Sequence, residues 1–148
     1  MFKPIAIATA ISGSLDILFA MILTLWFGRE IPKMLRYVAS GPFPAATGMG
    51  TSGAILGLIV HFALMAIMAT ALMLLMRRSR QYLDHPILAG VIYGLVTYFI
   101  MNWIVVPLRF GTPLPPKTLS IATQLFAHIC LVGIPMALVA RRYLRPAS

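Results

Sequence analysis

Four apolar stretches, residues 4–27, 52–76, 86–108 and 119–140, leave this chain few folds to choose from. Each has about 22 to 25 residues, which at about 1.5 Å of rise per residue crosses a hydrocarbon layer about 30 Å thick with modest tilt. No water reaches the middle of a bilayer, so each backbone amide there must bond within its own segment, and the stretches are expected to be helices. The fold class that follows is all-α, a four-helix transmembrane bundle forming one domain over residues 1–148, with no strands. Composition agrees: 60% of the 148 residues are apolar, 10% are charged and the mean hydropathy is +0.92, outside the range of a soluble domain. The first stretch has the basic start of a secretory leader. Its apolar run continues to Phe27 and contains Asp16, so it is expected to be retained as the first span.

The net charge of +9 would point to nucleic acid in a soluble protein. Here the basic residues sit at the ends of apolar runs, where lipid phosphates are their natural partners. The expected partner is therefore the bilayer, with a homo-oligomer or another membrane protein beside it, and not nucleic acid. With the N-terminus inside, Lys3, Arg77, Arg78, Arg80, Arg141, Arg142 and Arg145 gather on the inner side, against Arg29, Lys33, Arg36, Arg109 and Lys117 outside. The inner residues cluster directly at helix ends, which places both termini in the cytoplasm. Cys130 is the single cysteine and forms no internal disulfide.

Between spans one and two, Gly28 to Thr51 is too polar to cross and too long for a simple turn. Ile31, Met34, Leu35 and Val38 recur at helical spacing opposite Arg29, Lys33 and Arg36, which predicts a short amphipathic helix in the interface, ended by Ser40 to Pro44. It reads as a surface connector or as a lid over the bundle. The connection from Arg77 to His85 is tight, making spans two and three antiparallel neighbours. Pro113, Pro115 and Pro116 favour an extended third connection. A faint repeat also shows: Ile11, Ser12, Gly13 echo Ile92, Tyr93, Gly94, the runs after His61 and His128 are alike, and both histidine spans end in an arginine pair. A duplicated helical hairpin about an axis along the membrane normal accounts for it, as does the easy likeness of apolar sequences.

Each span carries one strongly polar residue near its middle: Asp16, His61, Asn102 and His128. Counted from the inner ends at about 1.5 Å per residue, all four fall within roughly one helical turn of a common depth. Small and polar residues continue each position at helical spacing: Thr9 and Ser12 with Asp16, Gly53 and Gly57 with His61, Gly90, Gly94, Thr97 and Tyr98 with Asn102, Ser120 and Gln124 with His128. Such stripes let helices approach closely and are expected to face one another. An ionised aspartate facing lipid at mid-span costs about 2.5–3.5 kcal/mol on the insertion scale. Asp16 should therefore point inward, with His61, His128, Ser12 and Asn102 as candidate partners and Tyr93, Tyr98 and Gln124 extending the network.

That layer supports rival readings. One is a pocket that binds or relays a proton, an ion or a small polar ligand through Asp16, His61, Asn102, His128, Ser12, Gln124 and Tyr98. Another is structural glue in a non-catalytic accessory or assembly protein. A third is a b-type haem held axially by His61 and His128, and zinc held by the histidines and Asp16 is a chemical relative of it. No phosphate loop, nucleophile and base pair, or paired carboxylates stand out, so an enzyme is the weakest reading. Elsewhere His85, between Asp84 and Pro86, reads as a helix cap, Pro107 as the end of span three and Pro135 with Gly133 as a kink in span four. Met65, Met68, Met73 and Met76 read as packing, and Trp26 and Trp103 as belt anchors.

Several segments also resemble a family of small bacterial inner-membrane proteins of uncharacterised activity. They are Gly13 to Ile17, Val38 to Gly41, His85-Pro86 with Ala89 to Gly94, Met101-Asn102 with Pro107-Leu108, and His128 with Gly133 to Pro135 and Ala140 to Arg142. The resemblance implies a four-span protein of the bacterial inner membrane. It brings no catalytic residues.

Overall fold

The computed structural model describes residues 1–145, and of Arg80 the backbone alone. Among these residues there are helices and turns and no strand. In chain order the helices are α1 (Phe2–Trp26), a short α2 (Ile31–Ala39), α3 (Gly50–Arg78), α4 (Pro86–Phe110) and α5 (Thr118–Leu144). All but α2 are long and apolar enough to cross a membrane. A five-residue 3-10 helix, Pro44–Gly48, follows α2, and a helical turn, Arg80–Asp84, joins α3 to α4. Gly28 and Gly50, at φ 65° and 60°, flank the segment holding α2 in a left-handed conformation that side chains resist. His85 stands at the N-cap of α4 but makes no side-chain cap bond.

The start of α1 and the end of α5 lie at one end of the bundle, where Lys3 sits over the Tyr143 ring. That end is the tight one. Ala8 of α1, Ala89 of α4 and Ala137 and Ala140 of α5 pack around Met65, Leu72, Met73 and Met76 of α3, with Val132 and Met136 completing the cluster. Alanines on three helices leave room for the long thioethers of the fourth, which bend to fill what remains. Close contact between α4 and α5 depends on Gly90, Gly94 and Gly133: a Cβ on Gly90 would lie 2.6 Å from the Ile134 Cα.

The opposite end is built differently. Over Thr118–Phe126 α5 buries no residue, and neither does α4 beyond Ile100. Packing there comes from α2, whose Leu35 joins Ile17 of α1 and Ala54 of α3, with Met21, Ile31, Met34 and Leu58 around them. Gly53 and Gly57, expected to face another span, instead admit α2: a Cβ on Gly57 would overlap the Leu35 backbone. The connector is thus no mere surface strap, because Leu35, Ala39 and Ala46 are buried against protein.

Two stretches depart from regular helix. Ile100–Val105 in α4 and Ala127–Gly133 in α5 are π-helical, and each ends two residues before a proline, Pro107 and Pro135. A proline lacks an N–H and its ring collides with the carbonyl four residues back, here Trp103 and Leu131. Both carbonyls lie inside the wider turns, which relieves the collision without breaking the helix. Contrary to the expectation, Pro107 does not end its span; α4 continues to Phe110 and is capped by Gly111 at φ 63°.

Candidate functional site

The four polar residues do not form one layer of mutual contacts. They divide into two clusters, one in each helical hairpin. In the first, α1 supplies Gly13 and Asp16 and α3 supplies His61. His61 is 6% exposed, and its Nε2 donates to the Gly13 carbonyl at 2.9 Å. A carbonyl only accepts, so that nitrogen carries a hydrogen. Nδ1 is then turned toward Asp16, 3.9 Å from Oδ2. One proton has two homes across that gap: on the ring, giving imidazolium and carboxylate, or on the carboxyl, giving two neutral groups. The gap is longer than a direct hydrogen bond. The edge of the Phe62 ring packs against the imidazole, with centroids 5.2 Å apart.

The second cluster lies between α4 and α5, within the π-helical turns. Asn102 Nδ2 donates to the Tyr98 carbonyl at 3.3 Å and faces His128 Nε2 at 3.5 Å. Since the Tyr98 carbonyl fixes which way the amide points, Nε2 accepts and Nδ1 carries the hydrogen. Nδ1 donates to Thr97 Oγ1 at 3.2 Å, and Thr97 donates in turn to the Gly94 carbonyl at 3.1 Å. Each donor thus has an acceptor, and His128 is a neutral ring in a closed chain. Tyr98, 2% exposed, lies edge-on to His128, and its hydroxyl accepts from Trp103 Nε1 at 3.2 Å. Trp103 is therefore half-buried structure and no free belt anchor, whereas Trp26 is 82% exposed.

Other expected partners go elsewhere. Ser12 donates to the Val132 carbonyl at 3.4 Å, joining α1 to α5, and Tyr93 donates to the Met68 carbonyl at 2.7 Å, joining α4 to α3. Gln124 is half-buried and enters neither cluster's bonds. The hydroxyl of Thr9, on the Asp16 face of α1, is buried without a partner among the described residues.

The donor set does not fit the haem or zinc considered above. The ring nitrogens of His61 face Gly13 and Asp16, and those of His128 face Thr97 and Asn102, so an axial iron would have to break both clusters. Among the described residues no three His, Cys, Asp or Glu side chains converge as a metal site requires.

Two residues are more important here than periodicity alone indicated. Thr97 belongs to a stripe, but only the packed α4–α5 pair shows that it holds His128. Arg109 reaches 69 positions back: Nε donates to the Gly41 carbonyl at 2.6 Å and Nη2 to the Ser40 carbonyl at 2.8 Å, satisfying the open end of α2. The neighbouring Phe110 stacks on Tyr37 with centroids 4.4 Å apart. The one available signal was a basic residue at a span end opposite a helix ending in Ser-Gly.

Comparison with protein families, with curated proteins and with solved structures finds no match.

Proposed function

We propose that this chain is a multi-pass protein of the bacterial inner membrane that binds and relays a proton at Asp16 and His61. The observation that carries the reading is the committed histidine: with Nε2 tied to Gly13, only Nδ1 is free to exchange a proton, and it faces the one acid in a membrane-length helix. An acid and an imidazole are costly glue at mid-span, where hydroxyls and amides suffice. The second cluster supplies that cheaper glue, and its closed bonds favour a structural role for Asn102 and His128.

Access from both sides has support. The Asp16 side chain keeps 22% exposure, next to the end where α4 and α5 pack loosely. In the other direction Ser12 and Thr9 follow Asp16 along one face of α1, and the orphaned Thr9 hydroxyl suits a water in the path. The clustered arginines at the ends of α3 and α5 support an orientation with both termini in the cytoplasm and α2 toward the outer surface, its basic residues near lipid headgroups.

Proteoliposomes carrying a pH gradient and an internal pH dye test this. Wild-type protein should dissipate the gradient, Asp16→Asn should slow it by about a hundredfold or more, and Thr9→Val should slow it less. A well-folded wild type that moves no protons would leave the accessory reading in its place.

A further inference from the structure

The basic residues at the two ends of the bundle differ in what holds them. At the α2 end Lys33 pairs with Glu30 at 3.1 Å, Arg36 donates to the Gly50 carbonyl at 3.4 Å, Arg109 donates to the carbonyls of Ser40 and Gly41, and Arg29 lies over the Phe27 ring. Only Lys117, just before α5, stands alone among them. At the end where α1 starts and α5 finishes, Lys3 sits over the Tyr143 ring and Arg145 pairs with Asp84 at 3.6 Å. That pair uses the one acid there, since the chain has three acids and the others are Asp16 at mid-span and Glu30 beside α2. Arg77 and Arg78 in the last turn of α3, and Arg141 and Arg142 in the last turn of α5, make no side-chain hydrogen bond or ion pair among the described residues. Packing brings these two pairs to the same end: Met76 and Ala140, each directly before its pair, are fully buried in one cluster with Leu83 of the turn between α3 and α4. One turn back toward the bundle centre, Leu74 and Leu75 on α3 and Leu138 on α5 are exposed. Four guanidinium groups gathered over an apolar surface repel one another until anions join them.

We propose that Arg77, Arg78, Arg141 and Arg142 form a site for an acidic phospholipid with two phosphate groups, one phosphate on each arginine pair and the acyl chains on the leucines beside them. A guanidinium presents a planar fork that meets two phosphate oxygens at once. The exposed leucines one turn away select an anion that carries chains over one free in water. Two pairs on two helices match two phosphates, whereas single cations spread along a surface draw any acidic lipid alike. A lipid so held ties the end of α3 to that of α5. The site stands apart from Asp16 and His61 and does not depend on the proton reading.

Full-length protein released from nanodiscs of phosphatidylcholine doped with diphosphatidylglycerol, and weighed intact by native mass spectrometry, shows which lipids it keeps. Wild-type protein should keep diphosphatidylglycerol saturably and in preference to phosphatidylglycerol supplied at matched phosphate. Changing any of the four arginines to glutamine should weaken retention by about fivefold. At the other end Arg29→Gln with Lys117→Gln should leave retention unchanged. Equal retention of the one-phosphate lipid, or an equal loss in the α2-end variant, overturns the proposal. So does displacement by inorganic pyrophosphate, which has two phosphates and no chains and would mark the site as one for a soluble anion. Arg141 is half-buried, so Arg141→Gln is the variant most exposed to a folding defect; Arg78→Gln with Arg142→Gln, both at exposed positions, is the second variant, and unchanged retention there overturns the proposal.

Discussion

At the scale of single residues, the burden falls on Asp16, whose charge the bundle can hold only with help. Removing its partner by His61→Phe should destabilise the protein by about 3–5 kcal/mol, as when one member of a buried pair is deleted. Adding Asp16→Asn should recover most of that loss, and denaturant unfolding of the single and double variants in mixed micelles measures both. Space is the other residue-scale constraint. Gly94→Ala drives a methyl into the His128 backbone and should cost about 1–3 kcal/mol by overpacking. Gly48→Ala, with nothing within 4 Å of the added carbon, should change stability by no more than about 0.5 kcal/mol. Spacing in the sequence placed Asp16, His61, Asn102 and His128 on inward faces at matching depth. It did not divide them into pairs, because a helical period reports the face of one helix and says nothing of which neighbour meets it.

Among elements, the π-helical turns and α2 repay attention. Pro135 and Asn102 were legible as a kink and a polar position, but the widened turns arise from a clash between a ring and a carbonyl that only the folded helix brings together. Pro135→Ala should let α5 close into regular α-helix, turning the preceding residues by roughly 100° per residue removed from the bulge. His128 should then lose Thr97, read as a changed ring-nitrogen resonance. α2 was expected in the interface, and its existence and ends came from its own periodicity. Its docking onto Gly53 and Gly57 did not, since the same apolar face suits lipid or protein. Burial raises the ionisation range of the Tyr37 hydroxyl above its ordinary value, against a smaller lowering by Arg109. A phenol raised in the docked state stabilises docking below its free value of about 10, and that contribution is lost as pH climbs through the raised one. Amide exchange in α2 should therefore quicken in strong alkali. In Arg109→Ala it should quicken already at neutral pH, because the carbonyls of Ser40 and Gly41 lose their donor.

Over the whole molecule, stability and openness are separated along the bundle axis. Met73, fully buried at the terminal end, should cost about 2–5 kcal/mol when cut to alanine. Thr123→Ala, on the stretch of α5 that buries nothing, should stay within about 0.5 kcal/mol, both measured by thermal unfolding in detergent. With α4 and α5 burying no residue toward the outer end and the Asp16 side chain 22% exposed, a site reached from that end fits.

The sequence by itself determined the number, length and polarity of the spans, because burial of the backbone in a bilayer admits one answer for each long apolar run. It also determined the depth of the polar residues, because helical rise is constant. Pairing was left to the tertiary structure. Whether His61 meets Asp16 or His128, and whether Gly57 faces a span or Leu35, depends on side-chain volumes and carbonyl positions contributed by residues far apart in the chain. Those meet only once the helices have packed.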